Sequence, residues 1–121
     1  MNKSKVGREK EEQACRYLEG QGVRIVERNF RCRQGEIDLI GYEREYLVFF
    51  EVKYRKDASM GSAAEAVNAP KRRKICGVAD YYRMIHRYLS DRPVRFDVVA
   101  IDGSRMEWIR NAFEYCGARH F

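Results

Sequence analysis

Glu51 and Lys53 stand two apart in the run Phe50-Glu-Val-Lys-Tyr54. On a strand this spacing sends both side chains to the same face. The residues just before them, Leu47, Val48, Phe49 and Phe50, are apolar on both faces, which marks a central strand covered from both sides. Charges at the end of such a strand are partly desolvated, at a cost on the order of several kcal/mol for each unpaired ion. A second acidic set, Glu36 and Asp38, lies in Gly35-Glu-Ile-Asp-Leu-Ile40. A hairpin turn centred on Arg44-Glu45 places Asp38 opposite Glu51 and Glu36 opposite Lys53. The turn lacks Asn-Gly or Asp-Gly, so the register is free to slip by a residue or two; Asp38, Glu51 and Lys53 still converge on one patch.

Two carboxylates on neighbouring strands repel unless a proton or a cation sits between them. An all-oxygen site of this kind suits a hard divalent ion, Mg²⁺ with Mn²⁺ as a substitute. A lysine beside it could orient or activate a water for in-line attack on a phosphodiester. Glu36, Asp38, Glu51 and Lys53 also describe a cross-strand salt-bridge network on a half-exposed sheet face, and spacing alone leaves both readings open.

Charge points to a polyanionic partner. The chain has 121 residues, 24 Lys and Arg against 18 Asp and Glu, a formal charge of +6 and a pI near 9.3. Between residues 71 and 95 eight basic residues stand against two acids, so this segment carries the whole surplus of +6. A concentrated positive field favours nucleic acid; the alternative is a solvated helix face. Cys15, Cys32, Cys76 and Cys116 form no CxxC and only two histidines exist, His86 and His120, which argues against zinc and for reduced thiols without a chemical role. The longest apolar run, residues 46–50, is far short of the about twenty residues a membrane span needs. With no secretory signal visible, a soluble cytoplasmic protein with no membrane partner is expected.

The elements that position these residues follow from periodicity. A helix covers residues 7–20, with Ala14, Cys15 and Leu18 at helical spacing, and Gly20-Gln-Gly22 stops it. Strands are expected at 23–30, from Gly35 to 41, and at 46–54, followed by a loop through Asp57, Ser59 and Gly61. A helical stretch over 62–89 restarts at Pro70, with Asn68 as its cap. Ile75, Val78, Ala79, Tyr82, Ile85 and Leu89 share one face of it. Arg92-Pro93 ends that stretch; strands at 94–101 and 106–113 flank the Asp102-Gly103 turn. The order α-β-β-β-α-β-β makes a single α/β domain over 1–121, a mixed β-sheet flanked by helices.

Several motifs coincide: Gly7-x-x-x-Glu11-x-x-Ala14, the block from Asn29 to Ile40, and Val48-Phe-Phe-Glu-Val-Lys-Tyr-Arg55. Gly61, Lys71, Arg95-Phe-Asp-Val-Val99 and Glu107-Trp-Ile-Arg-Asn-Ala-Phe113 join them. Together they resemble the PD-(D/E)xK, or restriction-endonuclease-like, nuclease superfamily. More closely they resemble the small bacterial YraN family (UPF0102-type), relatives of archaeal Holliday-junction resolvases. The resemblance implies a Mg²⁺-dependent endonuclease acting on DNA, branched DNA included. It implies Asp38 as central metal ligand, Glu51 as second ligand, the Val52 carbonyl as a third, and Glu11 on the first helix completing the site. Lys53 would position the attacking water, and Glu36 would hold Lys53 or stand behind the ligands. Lys71 falls where the family carries a basic residue facing the sheet; with Arg72, Lys74 and Arg55 it is expected to grip nucleic acid. Asp97 is expected to serve structure. One departure is Ile37, which stands where the motif has a proline before the acidic residue, a proline that many branches lack. Resolvase-like relatives act as homodimers, which by analogy is expected here too. The alternatives are a non-catalytic nucleic-acid-binding module on the same fold and a protein-interaction subunit of a repair or replication assembly. Tyr81, Tyr82, Tyr88 and Trp108 could stack on bases but read as core or rim residues, and His86 as an exposed helix residue without a partner.

Overall fold

The computed structural model describes residues 4–55, 67–89 and 91–116. Helix α1 spans Lys5–Gly20; the Ser4 hydroxyl caps it by accepting the Gly7 N–H at 3.0 Å. It ends at Gln21-Gly22, where Gly22 adopts a φ of 100° that glycine takes without strain. Three strands follow, β1 (Arg24–Cys32), β2 (Gly35–Glu43) and β3 (Tyr46–Arg55), then helix α2 (Ala69–Ile85) and a 3₁₀ turn at Arg87–Leu89. Strands β4 (Val94–Asp102) and β5 (Arg105–Phe113) complete one five-stranded sheet in the order β1-β2-β3-β4-β5. Neighbours are antiparallel except β3 and β4, which are parallel and joined by the α2 crossover. This mixed sheet with its α-β-β-β-α-β-β order matches the restriction-endonuclease-like arrangement.

Strand β3 is central because its sequence can be buried on both sides. Leu47 and Phe49 pack beneath α2 with Ile75, Val78, Tyr82 and Phe96; Val48 and Phe50 pack beneath α1 with Ala14, Leu18 and Val99. Burying a Phe or Leu stabilises by about 1.5–3 kcal/mol, so two such layers hold β3 firmly between the helices. Gly41 lets β1 approach β2, since a Cβ there would stand 2.7 Å from the Arg24 carbonyl oxygen.

Strand β2 turns over at Asp38. Leu39 packs on the α1 side, whereas Ile37, two residues earlier, packs on the α2 side. A regular strand would put both on one face. Its β1 neighbour shows the matching irregularity, with Asn29 at a φ of 53°, between the paired positions Arg28↔Leu39 and Phe30↔Ile37.

The second helix differs from its expected span. Residues 62–66, together with Asp57, Ser59 and Gly61, lie outside the described residues. The helix does begin at the Asn68 cap, whose side chain accepts the Lys71 N–H at 3.0 Å, with Pro70 in the first turn. It ends at Ile85, which is 48% exposed rather than in the core. Tyr82 is the last core residue of α2, and His86 follows it at i+4, stacking at 4.1 Å between ring centroids. His86 Nδ1 donates to the Tyr82 carbonyl at 2.9 Å, so this histidine is a partnered C-cap and not an exposed residue without one. Cys76 joins the buried face instead. Among the described residues no helix is long and apolar enough to cross a membrane.

Candidate active site

The β2–β3 hairpin has the expected register, from Glu43↔Tyr46 to Leu39↔Phe50. There the strands part. β3 continues alongside β4 as far as Arg55↔Asp102, while β2 stays with β1. The parting leaves β3 backbone donors without β2 carbonyls, and Asp38 fills one such place: its Oδ2 accepts the Val52 N–H at 2.8 Å. Val52 thus fixes the Asp38 carboxylate through its N–H. The expected pairing of Glu36 with Lys53 is not made, because β2 has already turned away; Glu36 pairs with Arg31 on β1, with an ion pair at 3.4 Å.

Asp38 and Glu51 are both buried, at 6% and 5% exposure. Two ammonium groups face the same Glu51 oxygen: Lys53 Nζ lies 3.5 Å and Lys71 Nζ 3.4 Å from Oε2. Lys53 comes from two residues along β3 and Lys71 from the first turn of α2. Burial, reinforced by the negative charge of Asp38, nevertheless pushes the Glu51 carboxyl up to about 7, against the pull of Lys71 and Lys53. At neutral pH this acid is poised between its two states.

The fold implies a divalent cation here, and the donor set can be tested against it. Asp38 and Glu51 offer only hard oxygen donors, and their mutual repulsion is the electrostatic condition that a cation relieves. Among the described residues no group of three or more His, Cys, Asp and Glu side chains is gathered closely enough to hold a metal. Glu11 therefore does not close a three-carboxylate cage. The two-carboxylate set fits Mg²⁺, which keeps several waters and often completes its shell with substrate phosphate.

Glu11 is instead linked to Glu36. With the Asn29 side-chain amide oriented so that its nitrogen faces the acids, that nitrogen lies 3.0 Å from Glu11 Oε1 and 2.9 Å from Glu36 Oε2. Spacing does not mark Asn29 as a site residue. Its signal in the sequence is an Asn within an otherwise alternating strand, the residue type that enters the left-handed region most readily after glycine.

The family comparison bears on this geometry. A model of the "Uncharacterised protein family UPF0102" matches residues 10–101, which include Glu11, Asp38, Glu51, Lys53 and Lys71. The chain belongs to UPF0102. A UPF0102 protein of Lachnoclostridium phytofermentans is 44% identical over 118 residues, covering 98% of this chain and 100% of the relative. One of Dechloromonas aromatica is 48% identical over 107 residues, covering 88% and 87%.

The remaining residues of this UPF0102 chain divide between site and scaffold. Arg72 braces the start of α2: its Nε donates to the Val67 carbonyl at 2.9 Å and its guanidinium lies 5.4 Å from the Phe113 ring centroid. Lys74 is exposed. Arg55 is half-buried at the end of β3, its Nε without a hydrogen bond among the described residues. Asp97 is structural and fully satisfied: it accepts from Arg95 Nε and Nη2 at 2.9 and 2.8 Å, Trp108 Nε1 at 2.9 Å and the Asn111 N–H at 2.9 Å. Tyr82 is core, Tyr81 is 36% exposed and Tyr88 80%. Two of the scattered cysteines meet, with Cys76 Sγ 3.5 Å from Cys116 Sγ; burial pushes the Cys76 thiol up to about 12.

Proposed function

We propose that this UPF0102 protein is a Mg²⁺-dependent endonuclease that hydrolyses DNA phosphodiester bonds, branched, Holliday-junction-like DNA included. The observation that carries this reading is Glu51: a buried carboxylate beside the equally buried Asp38, with Lys53 and Lys71 both on its Oε2. A network selected only for stability would gain from replacing these ions with apolar side chains. An electrostatically poised acid on a rigid central strand is a recurring mark of functional sites.

Asp38 and Glu51 would hold the ion, with Val52 N–H fixing Asp38. A cation there supplies Lewis-acid stabilisation of the charge that builds on the phosphoryl oxygens. Lys53, whose side chain is 30% exposed, reaches from Glu51 towards solvent and donates to the attacking water and to a phosphoryl oxygen. Lys71 approaches from the N-terminus of α2, where the helix dipole also favours a phosphate. Lys53 and Lys71 thereby hold the scissile phosphate from two sides of Glu51.

Calorimetric titration with Mg²⁺ and Mn²⁺, in the presence and absence of DNA, compares wild type with Asp38→Asn. One binding site lost in the variant, with cleavage of a four-way junction abolished and DNA binding retained, is the expected result. Cleavage that persists in Asp38→Asn would remove the assignment. A second reading, a non-catalytic nucleic-acid-binding module, draws on the lack of a three-carboxylate cluster among the described residues. It predicts salt-dependent binding without turnover and no cation site in either protein.

A further inference from the structure

We propose that the cavity on the outer face of α2 receives an unpaired nucleobase, so that the substrate is a DNA strand with a single-stranded nucleotide beside the phosphate held by Lys71. This rests on the nuclease reading for its phosphate and deepens it by naming the substrate class. The cavity has a volume of about 680 Å³ and lies between the outer stripe of α2 and Gln34 in the β1–β2 turn. That volume is typical of small-ligand sites, about 300–1,000 Å³, and the lining is mostly carbon.

Three residues shape the space for a flat ring. Gly77 forms the floor in the interior of α2, where glycine is a poor helix former. A Cβ at this position would meet Gln34 Cγ at 3.5 Å, an ordinary contact, so glycine is not required by a clash at Cβ and the missing side chain leaves depth. Tyr81 supplies an aromatic wall whose orientation is set by stacking on Phe30, with 6.2 Å between centroids and 29° between planes. Met84, 57% exposed, adds a polarisable thioether that packs well on aromatic surfaces.

Charge selects the occupant. Arg73 and Lys74 border the cavity and make no ion pair or hydrogen bond among the described residues. Lys74 lies about 4.5 Å before Gly77 and about 10.5 Å before Tyr81 along the helix axis, and Lys71 precedes Lys74 by one turn. Positive charge therefore runs from Glu51 to the cavity mouth, complementary to a phosphate backbone whose base turns inward. Gln34 Oε1 accepts the Cys32 thiol at 3.0 Å, which leaves the Gln34 amide NH₂ to donate to a base edge. Asp80, which accepts the Tyr115 hydroxyl at 2.8 Å, provides an acceptor for an exocyclic amine on the same wall. Bases in a duplex are enclosed in the stack, so entry requires an unpaired or extruded nucleotide.

The test uses the full chain carrying Asp38→Asn, so that binding is read without cleavage. Fluorescence anisotropy follows a labelled mixed-sequence single strand and the same sequence as duplex. The single strand is expected to bind more tightly by roughly tenfold or more, and Tyr81→Ala to weaken strand binding by about 5- to 150-fold with little effect on duplex, the range of one lost base stack. Tyr81→Phe should retain it. Gly77→Leu fills the floor with a better helix former, so its loss of strand binding, with an unchanged or raised melting temperature, separates occlusion from misfolding. Equal affinity for strand and duplex, or full strand binding in both Tyr81→Ala and Gly77→Leu, overturns the pocket. Tyr81-dependent strand binding in a protein whose wild type never cleaves keeps the pocket and removes the nuclease reading. Cleavage of fully paired DNA that Tyr81→Ala leaves intact does the reverse.

Discussion

The Lys71 ammonium, in the first turn of α2, lies 3.4 Å from Glu51 Oε2 on β3 and so ties the start of the crossover helix to the end of the central strand. The topology is consistent with this meeting. A parallel β3–β4 pair needs a crossover, and the helix that provides it begins beside the part of β3 that β2 no longer covers. The Asn68 cap and Pro70 fix where that first turn starts. A buried acid, two cations and a helix N-terminus therefore share one end of the sheet.

Stability should record the raised acidity constant of Glu51. Its folded-state value is about 7 against an ordinary 4.5, with burial and the Asp38 charge as causes. Between those values the folded protein retains a proton that the unfolded chain releases, so this group's contribution to stability falls as pH rises from 4.5 to 7. The full effect is on the order of 3 kcal/mol. Glu51→Gln cannot titrate, so its stability relative to wild type should improve by that amount between pH 4.5 and 8. Urea unfolding of both proteins across that range is the measurement. Parallel curves would mean that Glu51 ionises normally.

The two lysines should separate kinetically. On the proposed nuclease reading Lys53 would stand at the reacting phosphate, so Lys53→Ala should lower kcat by about 10²- to 10³-fold on a cleavable DNA. On the same reading Lys71 would hold the substrate in ground and transition states alike, so Lys71→Ala should act mainly on KM. Steady-state kinetics of the two variants decides it; a pure KM effect for Lys53→Ala would remove that lysine from the chemistry.

How much of this was legible in the sequence depends on whether local pattern or tertiary contact governed each residue. The apolar run at Leu47–Phe50 is sufficient to mark a strand buried on both faces, and β3 has that character. The Arg44-Glu45 turn sets the hairpin register, which holds to Leu39↔Phe50. The parting of the strands beyond that point is a tertiary event. It leaves Asp38 on the Val52 N–H and sends Glu36 to Arg31, and alternation carries no signal of it. Arg72 looks like its basic neighbours in sequence, yet Val67 and Phe113 engage it. Ile85 fits a 3.6-residue period, but the helix ends there and His86 takes the place above Tyr82.

Asn29 does two separable things, one with its backbone and one with its amide. Its φ of 53° disfavours any residue with a Cβ that lacks a local hydrogen-bonding group, and its amide nitrogen joins Glu11 to Glu36. Asn29→Gly should keep the backbone and lose only the amide, at a cost of about 1–2 kcal/mol for bonds to charged partners. Asn29→Ala should lose both and be less stable than the glycine variant by about 1 kcal/mol more. Chemical denaturation of the pair measures the difference; equal stabilities would show that position 29 carries no backbone strain.

Acid should act on a second network, remote from Glu51 and opposite in sign. Glu43 is bound by Arg110, at 3.1 and 2.8 Å, and by Arg95 at 2.6 Å; the Arg110 hydrogen bonds, with that of Arg95, outweigh partial burial and hold its carboxyl down to about 2. Its stabilisation is complete above the ordinary value of 4.5 and is lost as pH falls from there towards 2. Because Arg110 is half exposed, solvent screening reduces the contribution to about 1–2 kcal/mol. Glu43→Gln should therefore be less stable than wild type at pH 6 and converge with it near pH 2. Arg95 also serves the buried Asp97, so Asp97→Ala, which leaves Arg95 only Glu43 as an ionic partner and deprives Arg95 Nε, Trp108 Nε1 and the Asn111 N–H of their acceptor, should cost about 3–5 kcal/mol at pH 6. Thermal melts of both variants across pH 2–6 distinguish the two roles: a Glu43→Gln deficit that persists at pH 2 would place its stabilising effect in packing instead of charge.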